Sequence, residues 1–534
     1  MKKDSLLKSS LWISISGIFS RILAVIYIIP WNIWIAAGAG VAYVTVANAI
    51  YARVYNIYNL FLIIATAGIP SAISKEVAAQ NSIGQYDQSE KILKKYSIYM
   101  TLIGVVLAAI MFFGAKYVSI IFAAGDTRVI TPIKYLSVAL LVIPALGILR
   151  GYIQGYALIS LSAFSQVIEQ IARVAYMLYT TYTIMIISKG SYLDAINQST
   201  FASFIGATLA YLFLLWIRHR ARKNIPEVKE TSVDKRPEIS FSGMLKSAIP
   251  FLLVDTIMVV LQLFDQTSFS WIYDLILHAS KRTIDDLFGM FGFQANKLIM
   301  VLVSLAISIS ASIIPALSAM ISRKSSKDKI QNLMRNIVEF TIFIILPATF
   351  GMIAISRQLW TLFNVRSLLG TQILIVSCAE AIFYCIFMIL ENILQVTHHV
   401  KKSMYYLGIA YLIKIVLQVP LTIYLAAFGP LLSSTIAFMV MGHFAFRLLN
   451  KEYSIVDKEL GKRLLVITIN SLIMLVIVAI CVYLSTLVIS DIGKVGSGIV
   501  LTIGAIIGMI VYGILSYKTG GLQILKKIRN TEIY

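Results

Sequence analysis

Nine charged residues stand in stretches otherwise made of side chains at home in lipid. Arg21, Arg53, Arg173, Lys297 and Lys414 are the cations, and Glu169, Asp255, Asp265 and Glu380 the anions. A charge at mid-bilayer depth costs roughly 2.5 to 3.5 kcal/mol on insertion scales, so each needs a partner or a water-filled cavity. At about 1.5 Å of rise per residue, Arg21, Arg173, Asp255, Lys297, Glu380 and Lys414 lie roughly 14 to 20 Å from the starts of their helices, a belt near the midplane. Two chemistries fit such a belt. Opposite charges can brace neighbouring helices, or surplus cations can receive a travelling anion. Glu169 stands one turn before Arg173 and can pair with it or with Arg21. Lys414 can pair with Asp255 or Glu380, because these groups reach similar depth. The cations outnumber the anions even with Asp265 counted, so at least one positive charge looks outside the protein for its counterion. Arg21, Lys297 and Arg53 are the residues expected to face that anion. Arg53 and Asp265 lie nearer the outer face, where Arg53 can snorkel toward the interface.

Other residue types offer less. His219, His278, His398, His399 and His443 fall at helix ends or loops without ligand spacing, and Cys378, Cys385 and Cys481 lie in apolar runs without a C-x-x-C pair. No metal site, cofactor motif or Walker phosphate loop is indicated. The aromatics of "YARVYNIYNLF" (51 to 61) read as an interfacial belt. "DLILHASKRTIDD" (274 to 286), with its three Asp residues, reads as a solvated loop. "GAIIG" (504 to 508) reads as close packing between the last two helices, or as a dimer contact.

The elements that must position the belt follow from composition. The chain has 534 residues, 59% hydrophobic and 13% charged, and a mean hydropathy of +0.84, which marks an all-α polytopic membrane protein. Spans of about 20 apolar residues predict fourteen helices, centred near Ser20, Phe61, Val105, Leu141, Tyr176, Thr208, Val259, Ser304, Ile345, Ile382, Leu412, Phe438, Val476 and Ile506. The first is expected to be a retained span and not a cleaved signal. Most of the 46 Lys and Arg fall in the two termini and the alternate connections between them. By the positive-inside rule both termini are expected in the cytoplasm, and the net charge of +21 is a topology signal, not a nucleic-acid footprint.

The halves resemble each other. "GIPSAISKE" after the second helix matches "SIIPALSAM" in the eighth, "LRGYIQG" (149 to 155) matches "LENILQV" (390 to 396), and Arg173 has its counterpart in Lys414. Two pseudo-symmetric six-helix lobes are expected, at 1–220 and 244–450. A polar linker at 221–243 joins them, and 451–534 supplies two further helices and a cytoplasmic tail. Such repeats suit alternating access around a site between them.

"SRIL" in the first helix, "GIPSAISKE", "LRGYIQG" followed by "SQVIEQIARV", and "ANKLIMVLVSLAISISASIIPALS" together resemble the polysaccharide-exporter branch of the multidrug/oligosaccharidyl-lipid/polysaccharide (MOP) flippase superfamily. Within it they are most similar to the MurJ-type (YtgP-like) lipid II flippases of Gram-positive bacteria. The resemblance covers nearly the whole chain through many modest matches. It implies fourteen helices in two lobes, a cationic cavity lined by helices one, two, seven and eight, and a groove between helices thirteen and fourteen for a polyprenyl tail. It also implies that Arg21 and Lys297 contact a substrate diphosphate, Lys297 as a point charge where relatives carry an arginine fork. Arg53 stands about one turn from the family's helix-two arginine. Some relatives look sodium-coupled through helices seven, eleven and twelve; this chain keeps Asp255 but places Lys414 in helix eleven, so sodium binding is not expected.

The resulting expectation is a non-enzymatic flippase in the bacterial cell membrane that moves an undecaprenyl-diphosphate-linked saccharide, lipid II, from the inner to the outer leaflet for wall synthesis. Membrane lipids, and possible contact with the wall-synthesis machinery, complete the expected partners. The alternatives are a flippase for a teichoic-acid, capsule or exopolysaccharide unit, a drug or cation antiporter, which would want an acidic cavity, and a membrane glycosyltransferase, which would need catalytic carboxylates outside.

Overall fold

A computed structural model describes residues 16–222 and 256–524, apart from 18, 67, 257 and 258. The 221–243 linker and Asp255 thus fall almost wholly or wholly outside the described residues. In chain order the long helices are α1 (Phe19–Ala39), α2 (Ala42–Thr66), α3 (Tyr86–Phe113), α4 (Thr127–Gly155), α5 (Ile159–Tyr182), α6 (Tyr192–Arg220) and α7 (259–276). They continue as α8 (Lys281–Ser310), α9 (Lys327–Ala354), α10 (Leu368–Val396), α11 (Val400–Leu425), α12 (Phe428–Tyr453), α13 (Lys458–Val488) and α14 (Lys494–Lys518). Among the described residues twelve of them are long and apolar enough to cross a membrane. The other two, α5 and α7, stand where the apolar pattern places the fifth and seventh spans, and α5 is diluted by Glu169, Gln170 and Arg173. The protein is a multi-pass, all-helical membrane protein.

The first two helices are displaced from their expected centres. Gly40 ends α1 at a φ of 100°, a conformation open to glycine and costly for other residues. The turn therefore falls at 40–41, and apolar content on both sides of it hides the break in a hydropathy reading. Arg21 consequently lies near the start of the described α1 and not at its middle. Arg53 moves the other way, to the middle of α2.

Two compact units divide between Gly289 and Met290, within the widened turn Gly289–Ala295 of α8. A single offset carries α3 onto α9, the short helix Ala115–Phe122 onto Ser356–Phe363, α4 onto α10, and Ile159 at the start of α5 onto Val400 at the start of α11. The same offset carries Arg173 onto Lys414. The pseudo-repeat is thus present down to the residue from α3 to α5.

In the first unit, helix Ile69–Ser82 packs with α3, α4 and α6 around Ile73, Val77, Tyr96, Leu149 and Ile153. Gly151 and Gly155 of "LRGYIQG" admit this helix: a Cβ at 151 would collide with the Pro70 carbonyl, and one at 155 would come within 2.6 Å of Val77. Two of the segments that matched between the halves are therefore packing partners, since small residues let helix backbones approach closely. In the second unit α13 packs on α9, and α14 on α13. Gly504 and Gly508 of "GAIIG" lie against Val478 and Val482 of α13, as the packing alternative expected.

Candidate functional site: a charged corner and an aromatic-walled arginine

Arg53 does not snorkel. It is 2% exposed, with Nη1 3.2 Å from Asp126 Oδ2 and 2.5 Å from Asp285 Oδ1. Arg128 closes the cluster from the other side, with Nη2 2.8 Å from Asp126 Oδ2 and 2.7 Å from Asp285 Oδ2. Each arginine meets both carboxylates, so the quartet is neutral and joins α2, the start of α4 with the connection before it, and the first turns of α8. Local sequence explains each placement. Asp126 caps the turn Thr127–Val129 by accepting the Arg128 backbone N–H, which points its carboxylate back into the bundle. Ser280 caps Lys281–Phe288 by accepting from the Thr283 N–H, and the amphipathic turns that follow bury Ile284, Asp285 and Phe288 together. Phe288 lies under the Arg53 guanidinium at 5.1 Å.

Asp285 therefore corrects the solvated-loop reading of 274 to 286. It is 1% exposed, because helix formation turns one face of a locally polar run inward. Burial would push the Asp126 carboxyl up, but the hydrogen bonds and charge of Arg128, with the charge of Arg53, outweigh it and hold the group below its ordinary range. Beside the quartet a small open recess is lined by these four residues with Ser270, Asp274 and Lys281. Gln266, buried on α7, ties this corner together. Its Nε2 donates to the Phe122 carbonyl at 2.7 Å, and its Oε1 accepts from Asn56 Nδ2 at 3.1 Å.

Elsewhere in the first unit, Glu169 pairs with Arg150 of α4 at 2.7 Å. Arg150 belongs to "LRGYIQG", the segment that matches "LENILQV" in the second half. Arg173 instead lies over the ring of Tyr55, 5.3 Å from its centroid. Tyr51 and Tyr55 stand 4.6 Å apart, and Trp31 approaches Tyr51 at 6.0 Å. Tyr51 and Tyr58 are buried. These aromatics wall an intramembrane arginine, so the interfacial-belt reading of "YARVYNIYNLF" does not hold for them.

The remaining candidates are placed as follows. Arg21 and Asp265, in the first unit, are both partly buried. In the second unit Lys297 follows the widened turn Gly289–Ala295 and lies 5.5 Å from the Phe293 ring centroid, while Glu380 is partly buried on α10. Lys414 is 1% exposed and donates to the Ser434 hydroxyl of α12. Asp126, Arg128, Arg150 and Asp285 are the charged residues that reading the sequence missed. The signal available for Asp126 was its capping position after Gly125, which predicts a turn without naming the arginines it meets.

Comparison with known proteins sets this geometry in context. The chain is 29% identical to "Lipid II flippase MurJ" of Bacillus subtilis (strain 168), over 97% of its own length and 96% of that protein. Its fold matches the solved structure of "Lipid II flippase MurJ, inward closed conformation" with a TM-score of 0.66 at 19% identity, covering 95% of this chain and 98% of that one. An inward-facing multidrug resistance MATE family transporter of the MOP superfamily matches with a TM-score of 0.60 at 12% identity, covering 84% and 99%. The family described as "Polysaccharide biosynthesis protein" matches residues 6–321. With its helical repeat, its buried intramembrane charges and this match over more than half its length, the chain belongs to the polysaccharide biosynthesis protein family.

Proposed function

We propose that this protein is a lipid II flippase: it moves an undecaprenyl-diphosphate-linked saccharide from the inner to the outer leaflet by alternating access, for cell-wall synthesis. The observation that carries this reading is the end-to-end likeness to the Bacillus subtilis lipid II flippase, supported by charges retained at membrane depth throughout the repeat. The physical task is to carry a diphosphate and sugars through a medium that excludes them, while the hydrocarbon tail stays in lipid. Cations on spanning helices meet that need without catalysis, so the protein works as a transporter and not as an enzyme. Arg21 and Lys297 are assigned to the diphosphate. Asp265, Glu169, Arg173, Glu380, Lys414 and Asp255 are assigned to supporting charges around the transport path. The lobes of the transport cycle are assigned to 1–220 and 244–450, with 221–243 as linker and 451–534 as the added helices and tail. The Lys and Arg distribution supports cytoplasmic termini. Membrane potential acting on net charge, worth about 2.3 kcal/mol per charge per 100 mV, is a source of direction that the cations alone do not supply.

Depleting the protein in a strain with no second flippase tests the reading. Lipid II exposed on the outer leaflet should fall, and Arg21→Ala or Lys297→Ala at equal expression should fail to restore it. Unchanged exposure would overturn the proposal. The breadth of the family description favours a second reading, a flippase for another lipid-linked polysaccharide unit. Relocation of such a unit in place of lipid II, in the same depleted strain, would select it.

A further inference from the structure

Among the described residues of the first unit, one spanning cation has no carboxylate at ion-pair distance. Glu169, which shares its helix face, is taken by Arg150, and Arg53 is held by Asp126 and Asp285. Arg173 has the Tyr55 ring, with Tyr51, Tyr27 and the charge of Glu169 as its other near neighbours, and its buried Nε–H meets no acceptor among the described residues. Gly206 of α6 lies behind its stem, where a Cβ would come within 3.1 Å of Arg173 Cβ. The side chain is thereby directed away from α6 and toward the tyrosines. A guanidinium stays charged in any protein environment. Ring faces stabilise such a cation but leave its hydrogen-bond donors unmet. The buried Tyr27 hydroxyl likewise meets no partner among the described residues, and a planar fork beside such a hydroxyl suits one ligand class best, an oxyanion that accepts from both.

We propose that Arg173, walled by Tyr27, Tyr51 and Tyr55, receives a phosphate-type oxyanion inside the first unit. Two sources share that chemistry, the diphosphate of a lipid-linked substrate and free inorganic phosphate or pyrophosphate. Only the first rests on the transport reading.

The test uses full-length protein in lipid nanodiscs, with inorganic pyrophosphate and undecaprenyl diphosphate as separate probes. Lipid II relocation by the same preparations is followed in proteoliposomes. Arg173→Gln should weaken binding of at least one probe by about tenfold, the loss of one charge-assisted pair. Arg173→Lys should restore it to within a few-fold, with the thermal midpoint of both variants unchanged. If the glutamine variant does not fold, Tyr55→Leu carries the test, and at least threefold weaker binding of a probe is required. Weakening for pyrophosphate alone assigns the site to a free anion; weakening for undecaprenyl diphosphate assigns it to the substrate. Should wild type relocate lipid II while both probes bind these variants as they bind wild type, the inference is wrong and the transport reading stands. Should wild type fail to relocate lipid II while pyrophosphate binding still depends on Arg173, the transport reading falls and the site stands.

Discussion

The start of α4 and the start of α10 are equivalent positions in the repeat, capped by different chemistry. Asp126 accepts the Arg128 N–H at 3.1 Å, and Ser367 accepts the Gly370 N–H, also at 3.1 Å. An uncharged hydroxyl therefore suffices to begin this helix. The carboxylate in the first unit answers to Arg53 and Arg128 and not to the backbone. In the second unit an ionic contact at the short helix comes instead from the added helices. Asp491, between α13 and α14, lies 3.3 Å from Arg357 and accepts from Gln358 at 3.0 Å. The first corner joins helices within the repeat through a buried quartet. The second fastens the repeat to its C-terminal extension through an arginine side chain that is 53% exposed.

Breaking the quartet should show the largest effect. Asp285→Ala leaves two arginines short of a partner, one of them fully buried, and should cost about 3 to 5 kcal/mol in thermal or denaturant unfolding of the purified protein. Arg53→Leu combined with Asp285→Leu should cost less than the single change, because no unpaired charge remains. Asp126→Ser installs the second unit's cap, keeping the helix start while removing a charge; about 1 to 3 kcal/mol is expected.

The Asp126 substitution also sharpens the contrast through pH. A carboxyl held below its ordinary range adds stability that is present in full above the unfolded-state carboxylate pKa. That contribution is lost as pH falls through the depressed folded value. The wild type should therefore lose stability more steeply than Asp126→Ser in acid, and the two curves should converge at the lowest pH. Parallel acid limbs would show that Asp126 carries no linked charge. Asp491→Asn should cost about 1 kcal/mol or less, since its arginine partner is largely in solvent. The reverse transplant, Ser367→Asp, should change stability by less than about 0.5 kcal/mol, because serine and aspartate cap nearly equally well and no arginine pair awaits it.

Legibility differs along the chain for physical reasons. Span number was readable because bilayer thickness sets a minimum apolar length, and α3, α4, α10, α11, α12 and α14 fall where the apolar runs predict. The boundary between α1 and α2 was not, because Gly40 acts through a backbone angle that hydropathy does not register. Arg173 and Lys414 were paired as repeat counterparts from sequence alone, and one constant offset joins them. Their surroundings were not legible, since Tyr55, Met177 and Ser203 reach the same region from three different helices.

Composition and periodicity by themselves determined that this chain spans the membrane many times, repeats internally, and carries cations where lipid should forbid them. All three follow from local quantities, apolar length and residue type, that need no knowledge of neighbours. Only the tertiary structure decided which charges neutralise one another. Asp126 and Asp285 reach Arg53 across long separations in the chain, and Glu169 takes Arg150 in preference to the arginine on its own helix face. Electrostatic pairing depends on distance in space, and no spacing along the chain encodes it.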